Sequence, residues 1–252
     1  MTILPSLNDG QSPLAQSDSF ERERERIHRQ MLSSVSHDLK TPLASIIGSL
    51  EIFDRMKDKL PEDKKLSLVL VALQEAYRLD NFITNILDMA KLENGMVKAR
   101  HEKTEIGGLI RDCLLRLKSL LQTSQVAFDP TGQLTITTDA VLLSRTVCLV
   151  LDNAVKYGGV QSTIDITYGQ NGGEGYICIR DNGRGVPPEQ LDDIFSKYTR
   201  LAKEDQQKAG TGLGLSIGKA IMNLLDGDLQ ASNHVDGGML FTLTFPTELQ
   251  VP

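Results

Sequence analysis

The stretch Ser33–Ile46, SSVSHDLKTPLASI, places a histidine beside an aspartate in a helical apolar pattern and then places a proline in the same pattern. Apolar residues recur across the proline at spacings of three and four, which is typical of a helix that packs along one seam. These residues are Leu32, Val35, Leu39, Leu43, Ile46, Leu50 and Phe53. His37 lies off the seam, so we expect its side chain to face solvent. Pro42 has no N–H to donate to the carbonyl of Asp38, so we expect the helix to kink just after His37.

The composition is that of a globular chain without a basic footprint. With 252 residues, of which 40% are hydrophobic and 24% charged, the chain has room for one large domain or two ordinary ones. A formal net charge of -6 argues against a nucleic-acid partner held by bulk electrostatics. No apolar run approaches membrane-spanning length, so we expect a cytoplasmic chain without membrane contact. The three cysteines are far apart in sequence, which favours buried reduced thiols. They are Cys113, Cys148 and Cys178.

The first part of the chain predicts a tail followed by two long helices. Residues 1–18 mix Pro, Gly, Ser and Asn without periodicity, which is typical of a flexible tail or linker remnant. In residues 19–97, one helix is expected from about Phe20 to about Met56, and a second is expected to stop at Gly95. Two antiparallel helices with one apolar stripe each cannot bury both flanks alone, so we expect dimerisation into a four-helix bundle. A coiled-coil scaffold without chemistry gives the same pattern.

Residues 98–252 change to short β-rich runs interleaved with helical segments. The helical segments lie near 106–121, 140–157 and 212–225. The β-rich runs are VAFD, QLTITTD, TIDITY, YICIRD and MLFTLTF. This alternation predicts an α+β sandwich with helices on one face of a mixed or antiparallel sheet.

The motif DNGRGVP begins at Asp181, directly after the predicted strand YICIR. A carboxylate at a strand end offers an acceptor to an exocyclic amine. Gly183 and Gly185 permit backbone conformations and close approaches that a Cβ would prevent. Taken alone, the tripeptide DNG is also ordinary hairpin chemistry.

A second glycine-rich motif, GTGLGLSI, occupies Gly210–Ile217 and leads into a predicted helix. Backbone N–H groups at such a helix start are suited to an anion such as phosphate. The polar segment between the two glycine motifs, IFSKYTRLAKEDQQKAG, predicts a mobile lid.

A third motif, LDNAVKYG, closes the helix that begins near Asp139. Asn153, Lys156 and Tyr157 stand at helical positions i, i+3 and i+4. They bring an amide oxygen able to bind a metal ion, an ammonium group for phosphate and an aromatic ring within about one turn. A helical asparagine is, by itself, more often incidental.

In chain order, LDNAVKYG, DNGRGVP, the segment with Phe195 and GTGLGLSI resemble the N, G1, F and G2 boxes of sensor histidine kinases, and SSVSHDLKTPL resembles the H box of that family. The five matches span residues 33–217. The flanks FERERERIHRQ and NILDMAKLENG resemble the equivalent stretches of the Kdp potassium-system sensor kinases. The resemblance implies a two-helix dimerisation hairpin at 19–97, forming a four-helix bundle in the homodimer. It implies a GHKL-type α/β sandwich that binds ATP at 98–252.

The resemblance gives the exposed histidine a role that an isolated surface histidine would not have. It implies that His37 accepts the γ-phosphoryl group of ATP, that Asp38 polarises the ring and that Arg200 neutralises charge in the transfer. An imidazole with a pKa of about 6.5 offers a nitrogen lone pair near neutral pH. HDLKT also matches the acid-x-x-Thr pattern that the family associates with phosphatase activity, which assigns Thr41 to orienting a water molecule. The alternative is that a threonine merely suits the restricted backbone before Pro42.

The resemblance also implies an ATP site with Mg²⁺. Asp181 would receive the adenine amino group, Tyr157 would pack beside the base, Asn153 would bind Mg²⁺ and Lys156 would contact phosphate. Phe195 resembles the F-box aromatic residue. The remaining residues assigned to the pocket and its hinges are Gly183, Gly185, Gly210, Thr211, Gly212, Leu213 and Gly214.

One position departs from the family pattern. Many members have an asparagine four residues before the one matching Asn153, whereas this chain has Leu149, which cannot coordinate a cation. The leading hypothesis is an ATP-dependent histidine kinase that passes the phosphoryl group from His37 to an aspartate of a response regulator and also acts as a phosphatase for that regulator. Leu149 keeps open a degenerate kinase that acts as a dimeric binding scaffold. A third hypothesis is a GHKL ATPase of chaperone or topoisomerase type.

Overall fold

The computed structural model describes residues 35–36, 38–130, 132–159, 162–197 and 212–247. Several predicted features lie outside these described residues. They are the tail 1–18, the expected start of the first helix near Phe20, His37, residues 198–210 of the predicted lid, which include Arg200 and Gly210, and Thr211. The chain divides into two compact units, residues 1–79 and 80–252.

The first unit contains helix α1 and the first part of helix α2, which are joined by a tight turn. Helix α1 runs through Pro42 to residue 56 and helix α2 covers Glu62–Glu93. The N–H groups of Lys59 and Leu60 donate to the carbonyl of Met56 at 2.8 and 3.0 Å, which closes the first helix where the clustered charges predicted its end. The predicted end of the first helix is therefore confirmed.

Both helices carry large apolar residues that a single chain leaves open to water. In the first unit, Pro42, Ser49 and Ala72 are buried. By contrast, a set of large apolar side chains on both helices is 41–63% exposed. These are Leu43, Ile47, Leu50, Ile52, Met56, Leu66, Val69, Leu70, Val71, Leu73 and Tyr77. An apolar surface of this extent is typical of an interaction face.

Helix α2 ends at a glycine in the left-handed region. Gly95 has φ 62°, its N–H donates to the carbonyl of Leu92 at 3.1 Å, and the N–H of Met96 donates to the carbonyl of Lys91 at 2.9 Å. This pair of bonds is the Schellman motif, which satisfies the last carbonyls of a helix and favours glycine. The predicted stop at Gly95 is confirmed.

The last turns of α2 belong to the second unit. Met89 is 7% exposed and is part of the hydrophobic core of that unit. Arg145 forms an ion pair with Asp88 and donates a hydrogen bond to Oδ1 of Asn85 at 3.3 Å. The boundary expected between residues 97 and 98 stays a prediction.

The second unit alternates strands and helices around one mixed sheet. The five-stranded sheet has the order β2-β4-β5-β7-β6, with β2 parallel to β4 and the other neighbours antiparallel, while β1 and β3 pair separately as an antiparallel ribbon. The elements are β1 (Glu102–Glu105), α3 (Ile106–Arg116), β2 (Gln125–Phe128), β3 (Thr135–Thr138), α4 (Ala140–Tyr157), β4 (Thr163–Asn171), β5 (Glu174–Asp181), α5 (Gly214–Leu224), β6 (Asp228–Asn233) and β7 (Met239–Pro246), with short 3-10 turns at Leu120–Thr123, Pro188–Gln190 and Asp193–Phe195.

The α/β sandwich is confirmed, and two strands were not predicted. In β1 only Thr104 is buried, and in β6 only Leu229 is buried. β1 has no apolar residue, and β6 has only Leu229 and Ala231, so the alternation of apolar and polar residues that predicts a half-buried strand is missing in the first and short in the second. Both strands form because neighbouring strands supply their hydrogen-bond partners.

Helix α4 presents a fully buried apolar face to the core. Its inward-facing residues are Leu143, Val147, Val150, Leu151 and Ala154, all 0% exposed. They join residues of α3, α5 and the sheet in one hydrophobic core. Full burial of a Leu or Val side chain contributes roughly 1.5–3 kcal/mol, so this face fixes the position of α4 firmly.

Asp139 caps the start of α4 and also holds a neighbouring segment. Its Oδ1 accepts hydrogen bonds from the N–H groups of Val141 and Leu142 at 3.0 Å each, and its Oδ2 accepts one from the N–H of Arg100 at 2.8 Å. The carboxylate thus satisfies two of the backbone donors that a helix start leaves unpaired.

We expect Asp139→Ala to lower the free energy of unfolding by about 1–2 kcal/mol, because two helix donors and one loop donor lose their acceptor. Asp139→Asn keeps the Oδ1 acceptor for α4 but not the acceptor for Arg100, and should fall between the parent and the alanine variant. Urea unfolding followed by circular dichroism measures both. Equal midpoints for the parent and Asp139→Ala would contradict the capping role.

Candidate functional site

Strand β5 ends in a buried carboxylate. Asp181 is 2% exposed, and its Oδ1 accepts hydrogen bonds from the N–H groups of Gly183 at 2.8 Å and Met239 at 3.2 Å. Its Oδ2 is buried and has no hydrogen-bond partner within the part of the chain that the structure describes. Burial raises the pKa of Asp181, and the two backbone hydrogen bonds oppose that rise.

The unpartnered oxygen defines what this position can bind. Buried polar atoms are nearly always hydrogen-bonded, so an oxygen without a partner among the described residues is a candidate acceptor for a donor on a bound ligand. An N–H donor is suited to it, because a hydrogen bond to a carboxylate is stronger than one between neutral groups. The predicted position of Asp181 at a strand end is confirmed, and its contact with an exocyclic amine stays a prediction.

Gly183 and Gly185 lie where side chains do not fit. A Cβ on Gly183 would lie 2.6 Å from the carbonyl oxygen of Tyr157 and 2.8 Å from Oδ1 of Asp181. Gly185 has φ 70°, and a Cβ there would lie 2.6 Å from Oδ1 of Asn233. The loop after Asp181 therefore approaches the C-terminal end of α4 closely on one side and the end of β6 on the other.

The last turns of α4 carry the predicted N-box residues. Asn153, Lys156 and Tyr157 are all half-buried on this helix, as their spacing predicted. The ammonium group of Lys156 forms an ion pair with Asp152, one turn earlier on the same helix. Gly158 ends the helix, and its N–H donates to the carbonyl of Ala154 at 2.8 Å.

Leu149 lies next to the start of α5. Its side chain is half-buried and packs against the hydrophobic core. A Cβ on Gly214 would lie 3.6 Å from Cδ2 of Leu149. The side chain that replaces the first asparagine of the family pattern therefore packs against apolar neighbours.

The structure describes residues 212–217 of the second glycine motif, and this part of the motif packs into the core. Gly212 has φ 64°, Leu213 is fully buried, and α5 begins at Gly214. Phe195, the F-box residue, is half-buried and packs against the same core. The Nζ of Lys219 on α5 lies 5.4 Å from the centroid of its ring.

Three of the predicted motifs therefore meet on one helix. The G1 loop contacts α4 through Gly183 and the carbonyl of Tyr157, and the G2 segment contacts α4 through Gly214 and Leu149. Two residues of the H box, Asp38 and Thr41, lie on α1 in the first unit, where Asp38 is half-buried and Thr41 is exposed. Because the motifs come from positions far apart in the chain, their meeting is a property of the tertiary structure.

The sequence did not indicate two further contacts that support the G1 loop. Asn182 accepts the N–H of Thr163 through its side-chain oxygen at 2.8 Å. Gly238 has φ 81°, and a Cβ there would overlap the carbonyl oxygen of Asp181. The only signal in the sequence was the pair Gly237–Gly238, which by itself indicates a turn.

The cysteines are free thiols, of which one is buried. Cys113 is buried, while Cys148 and Cys178 are half-buried, so the expectation of burial is correct only for the first. Although they are far apart in sequence, Cys113 and Cys148 come together. A hydrogen bond from Cys148 is the main cause that lowers the pKa of Cys113 to about 7, with smaller contributions from Ser144 and Arg116 against the effect of burial.

Within the described ranges, no helix combines the length and apolar character needed to cross a membrane. The same ranges contain no group of three or more His, Cys, Asp or Glu side chains arranged to hold a metal ion.

Comparison with known families matches both parts of the chain. Residues 27–95 match the His Kinase A (phospho-acceptor) domain. Residues 138–249 match the histidine kinase-, DNA gyrase B- and HSP90-like ATPase domain. The two matches coincide with the helical hairpin and with the part of the sandwich that contains α4, β5 and α5.

A curated relative and two solved structures extend the comparison. Sensor protein KdpD of Escherichia coli (strain K12) is 33% identical over 228 residues, which are 90% of this chain and 25% of the relative. The histidine kinase ThkA in complex with response regulator protein TrrA aligns with a TM-score of 0.68 at 21% identity, covering 95% of this chain and 68% of that one. Full-length ShkA in complex with AMPPNP aligns with a TM-score of 0.63 at 21% identity, covering 86% of this chain and 45% of that one.

These comparisons confirm the expected similarity to Kdp sensor proteins, and the solved structures confirm the fold. The chain spans about a quarter of the length of the KdpD relatives that it matches, at 25% and 26% of their sequences.

The raised pKa of Asp181 makes a prediction about stability and pH. Because the folded-state pKa lies above the ordinary value of 3.8, the carboxyl group contributes stability below that value and loses it as the pH rises through the folded pKa. Asp181→Asn keeps an acceptor for the N–H groups of Gly183 and Met239 but carries no charge. We therefore expect it to unfold at a higher temperature than the parent at pH 7, by a few degrees.

The difference should shrink as the pH is lowered toward the ordinary value. Thermal unfolding between pH 4 and pH 8 measures it, with Asp165→Asn at an exposed position of β4 as the control. A pH-independent difference, or a less stable asparagine variant at pH 7, would show that the buried carboxylate is not the destabilising group.

Proposed function

This chain belongs to the sensor histidine kinases, since it carries both their phospho-acceptor domain and their ATPase domain, and we propose that it is an ATP-dependent kinase that phosphorylates its own His37. The observation that carries the proposal is the buried Oδ2 of Asp181, an acceptor without a partner among the described residues. It lies in a loop that also contacts the helix bearing Asn153, Lys156 and Tyr157. The site thus has an acceptor for an amine and, within one helix turn, groups suited to a base and to phosphates.

ATP would be the phosphoryl donor bound at this site. Its adenine amino group would donate to Oδ2 of Asp181, Tyr157 would lie beside the base and Lys156 would contact phosphate. Lys156 already has Asp152 as an ion-pair partner, so its ammonium group would be shared between that carboxylate and the nucleotide. The ATPase description of residues 138–249 and the AMPPNP complex of ShkA support this assignment.

Asn153 would hold Mg²⁺, which supplies neutralisation of phosphate charge when bound. The donor set fits a hard cation, because an amide oxygen, phosphate oxygens and water are ligands that Mg²⁺ prefers. Leu149 has no atom that could bind the ion, and its side chain packs against the core. Asn153 would therefore be the residue of α4 that binds Mg²⁺.

In the transfer, the imidazole nitrogen of His37 attacks the γ-phosphorus of ATP. A P–N bond forms as the bond to the β,γ-bridging oxygen breaks, and ADP leaves with that electron pair. Asp38 would polarise the ring, and Arg200 would neutralise charge on the phosphoryl group. Positioning and charge neutralisation are the main demands of phosphoryl transfer, and the roles proposed for these residues address both.

The partners we propose are a second copy of the chain and a response regulator. The exposed apolar side chains of α1 and α2 would be buried against a partner chain in a four-helix bundle. The phosphoryl group of His37 would pass to an aspartate of the regulator, and the complex of ThkA with TrrA supports a partner of this class. These reactions would take place in the cytoplasm, where ATP is available.

We expect incubation with γ-labelled ATP to place acid-labile phosphate on the parent, and His37→Ala to abolish that label while it still binds ATP. His101→Ala is the matched control, because His101 is an exposed histidine outside the H box and should label normally. Binding of ATP without any label would support the scaffold suggested by Leu149, and free phosphate without protein label would indicate an ATPase. Acid-labile label that persists on His37→Ala would contradict the assignment of the acceptor.

We also propose that the chain removes phosphate from its regulator, with Thr41 orienting the attacking water. Thr41 is exposed on α1, one helical turn after His37 in sequence. Thr41→Ala should keep the rate of autophosphorylation within about twofold of the parent. It should slow dephosphorylation of the phosphorylated regulator at least tenfold, which corresponds to an activation free energy higher by about 1.4 kcal/mol. Thr41→Ser, which retains the hydroxyl group, is the control. Dephosphorylation at the parent rate by Thr41→Ala, or loss of both activities together, would make Thr41 structural.

A further inference from the structure

Asn233, the last residue of β6, binds one residue of the G1 loop twice. Its Nδ2 donates to the carbonyl of Val186 at 2.6 Å, and its Oδ1 accepts the N–H of Val186 at 2.9 Å. A side-chain amide is able to do this because it carries a donor and an acceptor side by side. It satisfies both backbone groups of Val186 in the way that a neighbouring strand would.

The hairpin that begins at Asn233 also holds the carboxylate of Asp181. Asn233 and Met239 are direct partners in the antiparallel pairing of β6 and β7. The N–H of Met239 donates to Oδ1 of Asp181 at 3.2 Å, while Asn233 binds Val186. The paired residues Asn233 and Met239 therefore hold both the end of β5 at Asp181 and the loop at Val186, five residues further on.

Asn233 also explains the glycine at position 185. With φ 70° and only 2.6 Å between a Cβ and Oδ1 of Asn233, Gly185 is in a conformation and a space that exclude other residues. The loop thus passes directly over the amide of Asn233. Its first half is held by Gly183, whose N–H donates to Oδ1 of Asp181.

We propose that Asn233 is a positioning residue for nucleotide recognition. By fixing Val186, it holds the G1 loop in the path that leaves Oδ1 of Asp181 bound to the backbone and Oδ2 available to an adenine amino group. If Asn233 is replaced, the two hydrogen bonds to Val186 are lost. The G1 loop is then held less firmly, and the orientation of the Asp181 carboxylate becomes variable. The inference rests on the proposed binding of ATP at this site and adds a determinant of base specificity.

The test is the preference for ATP over inosine triphosphate, which has a carbonyl oxygen in place of the adenine amino group. Affinities of the full chain for both nucleotides with Mg²⁺ are measured by calorimetry. For Asn233→Ala we expect ATP affinity to fall about fivefold to tenfold, with little change for inosine triphosphate, so that the preference for ATP falls by the same factor. Autophosphorylation should show a raised KM for ATP and a kcat within about twofold of the parent.

Two further variants separate positioning from general damage. Asn233→Asp has nearly the same shape but loses the donor to the carbonyl of Val186, so it should lose preference as the alanine variant does. Ser232→Ala, at the neighbouring exposed position of β6, should keep it. Equal weakening of both nucleotides, an unchanged preference, or failure of both Asn233 variants to fold would overturn the positioning role.

The same measurements distinguish this inference from the proposed function. A parent that binds neither nucleotide contradicts the ATP site itself. A parent that prefers ATP, with Asn233 variants that prefer it equally, contradicts only the role of Asn233.

Discussion

The burial of α4 is the constraint on which the arrangement of the site depends. The fully buried apolar face of this helix is part of the single core that it shares with α3, α5 and the sheet. Its C-terminal turn then meets the G1 loop through the carbonyl of Tyr157, and Leu149 meets the start of α5 at Gly214. Because apolar packing holds the helix, the polar residues on its remaining surface keep fixed positions, as a binding site requires.

The buried carboxylate shows how such a site is balanced against stability. Asp181 keeps one oxygen bound to two backbone donors while the other oxygen has no partner among the described residues. A buried acceptor left unsatisfied costs free energy in the absence of a ligand. A donor from a bound nucleotide would remove that cost, so the strain of the free protein is part of the proposed affinity for ATP. This is the local conflict with folding rules that functional sites often contain.

In the first unit, the unfavourable feature is apolar surface that remains exposed to water. Its helices bury Pro42, Ser49 and Ala72 but leave eleven large apolar side chains between 41% and 63% exposed. Apolar surface that remains in water provides a driving force for association, which agrees with the proposed homodimer. Among the described residues, one unit thus leaves a buried acceptor without a donor and the other leaves apolar surface uncovered, and a binding partner could supply both.

The sequence alone determined the features that depend on neighbouring residues. Apolar spacing and clustered charges placed the end of the first helix at residue 56, the need for positive φ placed the stop of α2 at Gly95, and the order of the boxes indicated the family. The tertiary structure decided the contacts that join distant segments, including the two hydrogen bonds of Asn233 to Val186 and the pairing that forms β6. A single asparagine at the end of a weakly patterned strand carries no local signal, because its role is set by the register between β6 and β7 and by the path of a loop 47 residues earlier in the chain.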